Sequence, residues 1–141
     1  MLYKFNHGLT INLTSIDFVC EVQNIGKLMF ANPQVHYTDI IDLDGNNNKK
    51  SLLEAVYKVY KQEMYQFNSD RISIHIGDKQ NCQVTNELHM NILSIDAYQY
   101  IESDKLLTIC FGANKIFINN LSSEDYKDFN KVMDKYFGIV R

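Results

Sequence analysis

The amino-acid sequence predicts an α+β fold in which two amphipathic helices cover antiparallel sheet. Two segments, at about residues 51–66 and 122–138, combine helix-capping residues with apolar residues spaced three or four apart. Much of the remaining chain alternates apolar and polar residues, which is typical of strands with one polar face. Turn-forming Asn, Asp and Gly separate these runs, so the predicted order is several strands, a helix, several strands and a helix.

The first predicted helix begins with Ser51 as its N-cap, because Glu54 follows three residues later in the arrangement of a capping box. Its apolar residues would form one face of the helix: Leu53, Val56, Tyr60, Met64 and Phe67. Because these residues keep a helical spacing throughout, we expect the helix to cover about residues 51–66.

The second predicted helix begins at Ser122, which has Asp125 three residues later at the capping-box position. Leu121 before the cap and Tyr126 after it have the spacing of a hydrophobic staple. Gly138 stands where a C-terminal stop is expected. The residues between them that form the apolar face are Tyr126, Phe129, Val132, Met133, Tyr136 and Phe137.

The alternating runs predict strands between the turns. They lie at residues 11–13, 16–22, 35–43, 72–76, 88–92, 107–111 and 116–118. The predicted turns are at residues 24–26, 44–46, 77–78, 103–104 and 112–114.

The two halves of the chain share a short motif. Asn, Ser, Ile and Asp occur at the same spacing in residues 12–17 and 91–96. This repetition predicts a duplicated β-β-β-α unit within a single domain of residues 1–141, with half-repeats at 1–68 and 69–141. Chance similarity between two hairpins of one composition is the other explanation. Residues 106–137 are similar in outline to the end of a pleckstrin-homology-like barrel, so a partly open barrel with a C-terminal helix is the alternative fold.

Composition limits the classes of function. Apolar residues make up 45% of the chain and charged residues 22%, which is ordinary for a globular protein. The net charge is −3 and the chain has two arginines, Arg71 and Arg141, so we expect no nucleic-acid partner. No signal sequence or long apolar run is present, and the three cysteines have no paired spacing. We therefore expect a cytoplasmic protein with no membrane partner.

The motifs of common catalytic and metal sites are absent from the sequence. The segment 42–46, Asp-Leu-Asp-Gly-Asn, suggests a calcium loop, but the positions that should hold the first and last ligands are Ile40 and Ser51. No glycine-rich phosphate loop, dinucleotide fingerprint or nucleophile elbow occurs. We therefore expect no metal and no cofactor.

Four polar residues are candidates for a reactive site. His75 and His89 lie on the polar faces of predicted strands and would meet if those strands pair, with Cys82 between them in sequence. Asp17 and Asp96 occupy matching positions of the two motifs and would form a carboxylate pair if the motifs meet. In proteins, histidines on strands are more often simply exposed, and aspartates more often structural, than catalytic or metal-binding. Neither pair therefore predicts catalysis.

Aromatic residues indicate binding more strongly. The chain has nine tyrosines, eight phenylalanines and no tryptophan. Four tyrosines lie off the predicted apolar stripes or in strand positions where the phenol reaches solvent: Tyr57, Tyr65, Tyr98 and Tyr100. Tyrosine is enriched in interfaces, although a phenol can also cap a core with its hydroxyl outward. We predict a partner- or ligand-binding set of these four tyrosines with His75 and His89.

These observations favour a small binding protein that acts stoichiometrically on a protein partner. The abundance of Asn, Lys, Ile and Tyr is common in AT-rich genomes and their phages. A phage- or mobile-element-encoded inhibitor or immunity protein fits this composition, and a homodimer joined through an exposed sheet edge is one form it could take. The alternatives are a protein that binds or sequesters a nucleotide-like small molecule, and a small enzyme that uses the Asp and His residues.

Overall fold

The computed structural model describes residues 1–4, 10–22, 27–32, 35–42, 46–76 and 80–140. The predicted turns at 24–26 and 77–78, and residues 43–45 of the loop first considered for calcium, lie outside this description. Within the described residues, neither helix is long and apolar enough to span a bilayer.

Strands and two helices alternate in the order that the sequence predicts, and the α+β fold is confirmed. The first group of elements is β1 Leu2–Lys4, β2 Thr10–Asn12, β3 Phe18–Val22, β4 Lys27–Asn32, β5 Val35–Asp42 and α1 Asn46–Tyr60. The second group is β6 Met64–Asn68, β7 Ile72–Ile76, β8 Gln80–Asn91, β9 Ala97–Ile101, β10 Leu106–Phe111, β11 Asn114–Ile118 and α2 Ser123–Phe137.

The long strand β8 connects two antiparallel sheets. Its C-terminal part pairs with β3 and β6, and β3 continues to β4 and β5. Its N-terminal part pairs with β7, from which the sheet continues through β11 and β10 to β9. A separate hairpin of β1 and β2 forms the third sheet. Among the described strands, β5 and β9 therefore stand at the two ends of the strand order.

The first helix differs from its prediction. Helix α1 covers Asn46–Tyr60, so Ser51 lies inside the helix and is not its N-cap. The helix ends because Lys61 adopts a positive φ of 47°, after which a 3₁₀ turn leads into β6. Met64 and Phe67 have helical spacing but belong to that strand, where both are buried. Residues three apart lie on opposite faces of a strand, and both are buried here because apolar clusters cover both faces of the sheet, which explains the error.

The second helix follows its prediction closely. Ser122 is the N-cap, and its side-chain oxygen accepts a hydrogen bond of 3.1 Å from the main-chain N–H of Asp125. The helix ends at Gly138, whose φ of 73° suits glycine. Phe129 and Met133 are its buried residues, while Tyr136 and Phe137 of the predicted apolar face are exposed.

Two apolar clusters share the sheet that contains β3. The smaller one lies under α1 and includes Leu52, Val56 and Tyr60 of that helix. The larger one lies under α2 and includes Phe129 and Met133. Strand β3 contributes to both, because its alternation directs Val19 to the first cluster and Phe18 and Cys20 to the second. Burial of each large side chain contributes roughly 1.5–3 kcal/mol.

Corresponding elements of the two halves keep a constant offset. Asn12 and Asn91 each cap a 3₁₀ turn through the side-chain oxygen, with φ and ψ of −88° and 113° and of −86° and 107°. The offset of 79 residues between them also relates β3 to β9 and β4 to β10. The duplicated unit stays a prediction that these geometries favour. Strand β6 lies before the predicted boundary at residue 68 but pairs with β8 beyond it.

Candidate functional site

A hydrogen-bonded chain joins three side chains beneath α1. The hydroxyl of Tyr57 lies 2.8 Å from Nδ1 of His89, and Nε2 of His89 lies 3.1 Å from Oε1 of Glu87. His89 is 5% exposed, and the Tyr57 ring meets its imidazole edge-on at 5.7 Å. The structure therefore brings together two of the predicted binding residues, Tyr57 and His89, as a contact between α1 and β8.

The three hydrogen-bonded side chains follow the order hydroxyl, imidazole, carboxylate, which is also the order found in nucleophilic catalytic sites. Neutral His89 satisfies both contacts if Nδ1 accepts from the phenol and Nε2–H donates to Glu87. Burial, and then the negative charge of Glu87, raises the pKa of the Tyr57 phenol. The phenol therefore stays protonated at neutral pH, which suits a hydrogen-bond donor and not a nucleophile.

Tyr65 and Tyr98 pack against the same residue of α2. Their rings meet Phe129 edge-on at 5.3 and 5.1 Å. The Tyr98 hydroxyl donates a hydrogen bond of 2.6 Å to Oδ1 of Asn130. Phe129 is fully buried, so these two tyrosines complete the core under α2 and both are partly buried.

Tyr100 also faces α2. Its ring stacks on Tyr126 at 4.3 Å, and its hydroxyl donates a hydrogen bond of 2.7 Å to the carbonyl oxygen of Leu121. All four predicted tyrosines thus make contacts inside the domain, which is the core-capping role that the sequence left as the alternative. Their assignment to partner binding stays a prediction.

His75 is separated from His89. It lies on β7, opposite Asn81 of β8, with its ring 4.9 Å from that of Phe117. His89 lies on the other part of β8, opposite Gln66 of β6. Cys82 is buried, and this burial raises the pKa of its thiol, which disfavours the thiolate. No three His, Cys, Asp or Glu residues group as a metal site in the described part of the chain.

The two predicted motif copies meet in the structure. The side-chain amide of Asn91 donates to the carbonyl oxygen of Ile16 at 3.1 Å and to the Ser94 hydroxyl at 3.3 Å. The Ser94 hydroxyl in turn hydrogen-bonds to the carboxyl group of Asp17. Asp96 is close enough for its negative charge to act on Asp17. The paired aspartates are therefore neighbours at the junction of the two halves.

Asp17 is a buried carboxyl group with an incomplete set of partners. It is 2% exposed, and burial raises its pKa from 3.8 to about 6; the Ser94 hydrogen bond opposes this shift and Asp96 adds to it. Its Oδ1 atom is buried without a hydrogen-bond partner among the described residues. Burial also raises the pKa of the Tyr60 hydroxyl; an interaction with the main chain of Ile16 opposes this shift, and the charge of Asp17 adds to it. Because these polar groups are buried, the junction is better suited to a structural role than to binding a ligand from solvent.

The cleft with the size of a binding site lies elsewhere, between the start of β9 and the end of α2. Its volume is about 470 Å³. It is lined by residues 95–98, by Met133 and Phe137, and by residues 138–140. Binding clefts for small molecules and peptide side chains are typically about 300–1,000 Å³ and mostly apolar, with few polar groups. Asp96 is the one charged side chain among the nine residues that line it.

The rim of this cleft is an exposed apolar surface. Phe137 is 51% exposed and Val140 is 99% exposed. Ile101 at the far end of β9 is also exposed. Exposed apolar residues that share one cleft are typical of interaction sites, whereas single ones are common everywhere.

Of the predicted site residues, Tyr98 alone lines this cleft. Sequence analysis missed Phe137, Ile139 and Val140, and assigned Phe137 to the buried face of α2. The available signal was the apolar pair after Gly138, because apolar residues that follow a helix stop need a surface to pack on.

Comparison with known proteins adds no relative. No family model matches the chain, and neither a curated protein nor a solved structure is significantly similar to it.

Proposed function

We propose that this chain is a small cytoplasmic protein that binds a protein partner stoichiometrically through the cleft between β9 and α2. The observation that carries the proposal is the exposure of Phe137 and Val140 beside a 470 Å³ cleft. A stoichiometric inhibitor or immunity protein of a phage or mobile element works by occluding a partner's surface, and such occlusion needs no reactive cluster. An apolar cleft with exposed apolar side chains at its rim and one carboxylate, that of Asp96, supplies the anchor for that contact.

The test compares affinity purification with the wild-type chain and with Phe137→Ser. We expect one partner to co-purify in constant ratio with the wild type and to be lost with Phe137→Ser. Leu2→Ser is the matched control, because Leu2 is 69% exposed but lies on β1, which is not part of the cleft. Retention of the partner by Phe137→Ser, with both variants folded by circular dichroism, would contradict the proposal.

A second candidate function is small-molecule binding in the same cleft, which its volume favours. The carboxylate of Asp96 at the lining favours a neutral or cationic ligand over a nucleotide-like one, because phosphates would be repelled. A thermal-shift screen distinguishes this function. A ligand present at 100 times its Kd stabilises the wild type by roughly 2.7 kcal/mol, and Phe137→Ser should lose that gain.

The partner could also be a second copy of the same chain, in a homodimer joined through a sheet edge. Among the described strands, β5, β6 and β9 of the large sheet, and both strands of the β1–β2 hairpin, each pair with one neighbour and could offer such an edge. Sedimentation velocity over a hundredfold concentration range would detect it as a shift from monomer to dimer.

A further inference from the structure

Strand β9 combines an edge position with an uncharged sequence. Its neighbour among the described strands is β10. Edge strands are usually protected from pairing with other chains by charged residues or proline, and Ala97–Ile101 contains neither. Ala97, Gln99 and Ile101 are exposed along it. The strand is therefore suited to sheet extension by another extended segment.

The charges lie at the two ends of β9. Asp96 precedes the strand, and Glu102 and Asp104 follow it, all of them exposed. Residues 96–104 thus contain three acidic and no basic side chains. Asp96 also holds the β10–β11 turn, because its Oδ2 accepts a hydrogen bond of 2.6 Å from the main-chain N–H of Gly112. A carboxylate has about four lone-pair positions, so Asp96 can accept further donors.

This charge pattern opposes pairing of β9 with a second copy of itself. An antiparallel pair centred on Gln99 would place Asp96 of one chain opposite Glu102 of the other, at both ends of the pair. Like charges directly opposite each other across a strand pair are destabilising. The same pattern attracts a segment with basic residues at these two positions.

We propose that β9 is extended by a strand of the partner protein that carries Lys or Arg six residues apart, opposite Asp96 and Glu102, with a large apolar side chain between them that enters the cleft. The inference rests on the proposed function and names the chemistry of its partner. Ala97 and Tyr98 of β9, and Asp96 just before it, all line the cleft, so one extended segment reaches the strand edge and the cleft together. Main-chain pairing supplies affinity in such complexes, and alternate side chains supply specificity.

The probe is the peptide acetyl-Lys-Thr-Leu-Thr-Leu-Thr-Lys-amide, and its control is the same peptide with Glu at both ends. In a low-salt titration of the full-length, isotope-labelled chain, we expect the Lys peptide to shift the amide signals of residues 96–102. We also expect it to bind at least roughly fivefold more tightly than the Glu peptide, with a difference that shrinks as salt is added.

The charge-reversal variant Glu102→Lys sharpens this experiment, because Glu102 is exposed and outside the cleft lining. We expect it to weaken the Lys peptide severalfold and to strengthen the Glu peptide. Equal binding of both peptides, shifts confined to other strands, or a dimer formed through β9 would overturn the inference. If neither peptide binds while Phe137→Ser still abolishes partner capture, the proposed function stands and this inference fails.

Discussion

The main-chain N–H of Asn91 donates a hydrogen bond of 2.8 Å to the carbonyl oxygen of Asp17. The two residues belong to the two copies of the Asn-x-x-Ser-Ile-Asp motif, so the similarity seen in sequence becomes a contact in space. Because Asn91 also bonds Ile16 and Ser94 through its side chain, this asparagine adds several hydrogen bonds beside the pairing of β3 with β8.

Substitution of Asn91 should destabilise the fold more than substitution of its counterpart. Asn91 is 3% exposed and its side chain makes three hydrogen bonds, so Asn91→Ala should cost roughly 2–4 kcal/mol. Asn12 is exposed and acts as a local cap toward Thr14, so Asn12→Ala should cost about 0.5–1 kcal/mol. Urea unfolding measures both values, and equal losses would show that the junction does not depend on Asn91.

Asp17 should make stability depend on pH. Its folded pKa of about 6 lies above the ordinary value of 3.8, so the folded state holds a proton that the unfolded state releases. The resulting stabilisation is fully present below pH 3.8 and is lost as the pH rises through 6. At pH 8 the charged group should cost up to roughly 3 kcal/mol relative to its protonated form.

Asp17→Asn removes this titration and keeps the shape of the side chain. We expect the variant to exceed the wild type in free energy of unfolding at pH 8 and to lose that advantage at pH 4. Asp104→Asn, at an exposed aspartate, is the control and should follow the wild-type profile. If the free energies of unfolding of wild type and Asp17→Asn change in parallel between pH 4 and 8, ionisation of Asp17 does not destabilise the folded state and the prediction is wrong.

The Tyr57 hydroxyl should stabilise the contact between α1 and β8. Tyr57→Phe removes its 2.8 Å hydrogen bond to buried His89, and we expect a loss of roughly 1–3 kcal/mol. Tyr126→Phe is a matched change, because the Tyr126 hydroxyl lies at 3.5 Å from Asn130 and contributes little. If Tyr57→Phe is as stable as Tyr126→Phe, the hydrogen bond between Tyr57 and His89 contributes little to the stability of the fold.

Two phenylalanines of α2 should contribute very different amounts to the stability of the fold. Phe129 is fully buried among Tyr65, Phe67 and Tyr98, so Phe129→Ala should cost roughly 3–5 kcal/mol. Phe137 is half exposed at the cleft, so Phe137→Ala should cost under about 1 kcal/mol. Thermal unfolding separates the two values, and a large loss for Phe137→Ala would mean that this residue serves the core and not binding.

The sequence predicted α2 well because its ends depend on local chemistry. Ser122 bonds the N–H of Asp125, and Gly138 adopts a positive φ, both within a few residues of the helix. The end of α1 was predicted wrongly because Met64 and Phe67 owe their burial to the pairing of β6 with β8. That pairing places Met64 opposite Asn91 and Phe67 opposite Leu88, far apart in sequence, and no local pattern of residues 51–66 reveals it.

The candidate site was beyond prediction for a similar reason. Its walls come from residues 95–98 and 133–140, which tertiary packing brings together. Tyr98 and Tyr100 were predicted to reach solvent from their strand, but α2 packs against both rings. Their hydroxyls hydrogen-bond to Asn130 of α2 and to the carbonyl oxygen of Leu121 just before that helix. Asp17 and Asp96, which occupy matching positions of the two motifs, differ in burial: Asp17 is buried and Asp96 is exposed.

Site-specific photo-crosslinking tests the binding surface most directly. The photoreactive residue benzoylphenylalanine replaces Phe137 in one chain and Leu2 in another, and both are irradiated in cells that naturally contain the protein. The account predicts a light-dependent covalent adduct with a single partner protein from position 137 and none from position 2. No protein adduct at position 137, or the same adducts from both positions, would contradict it.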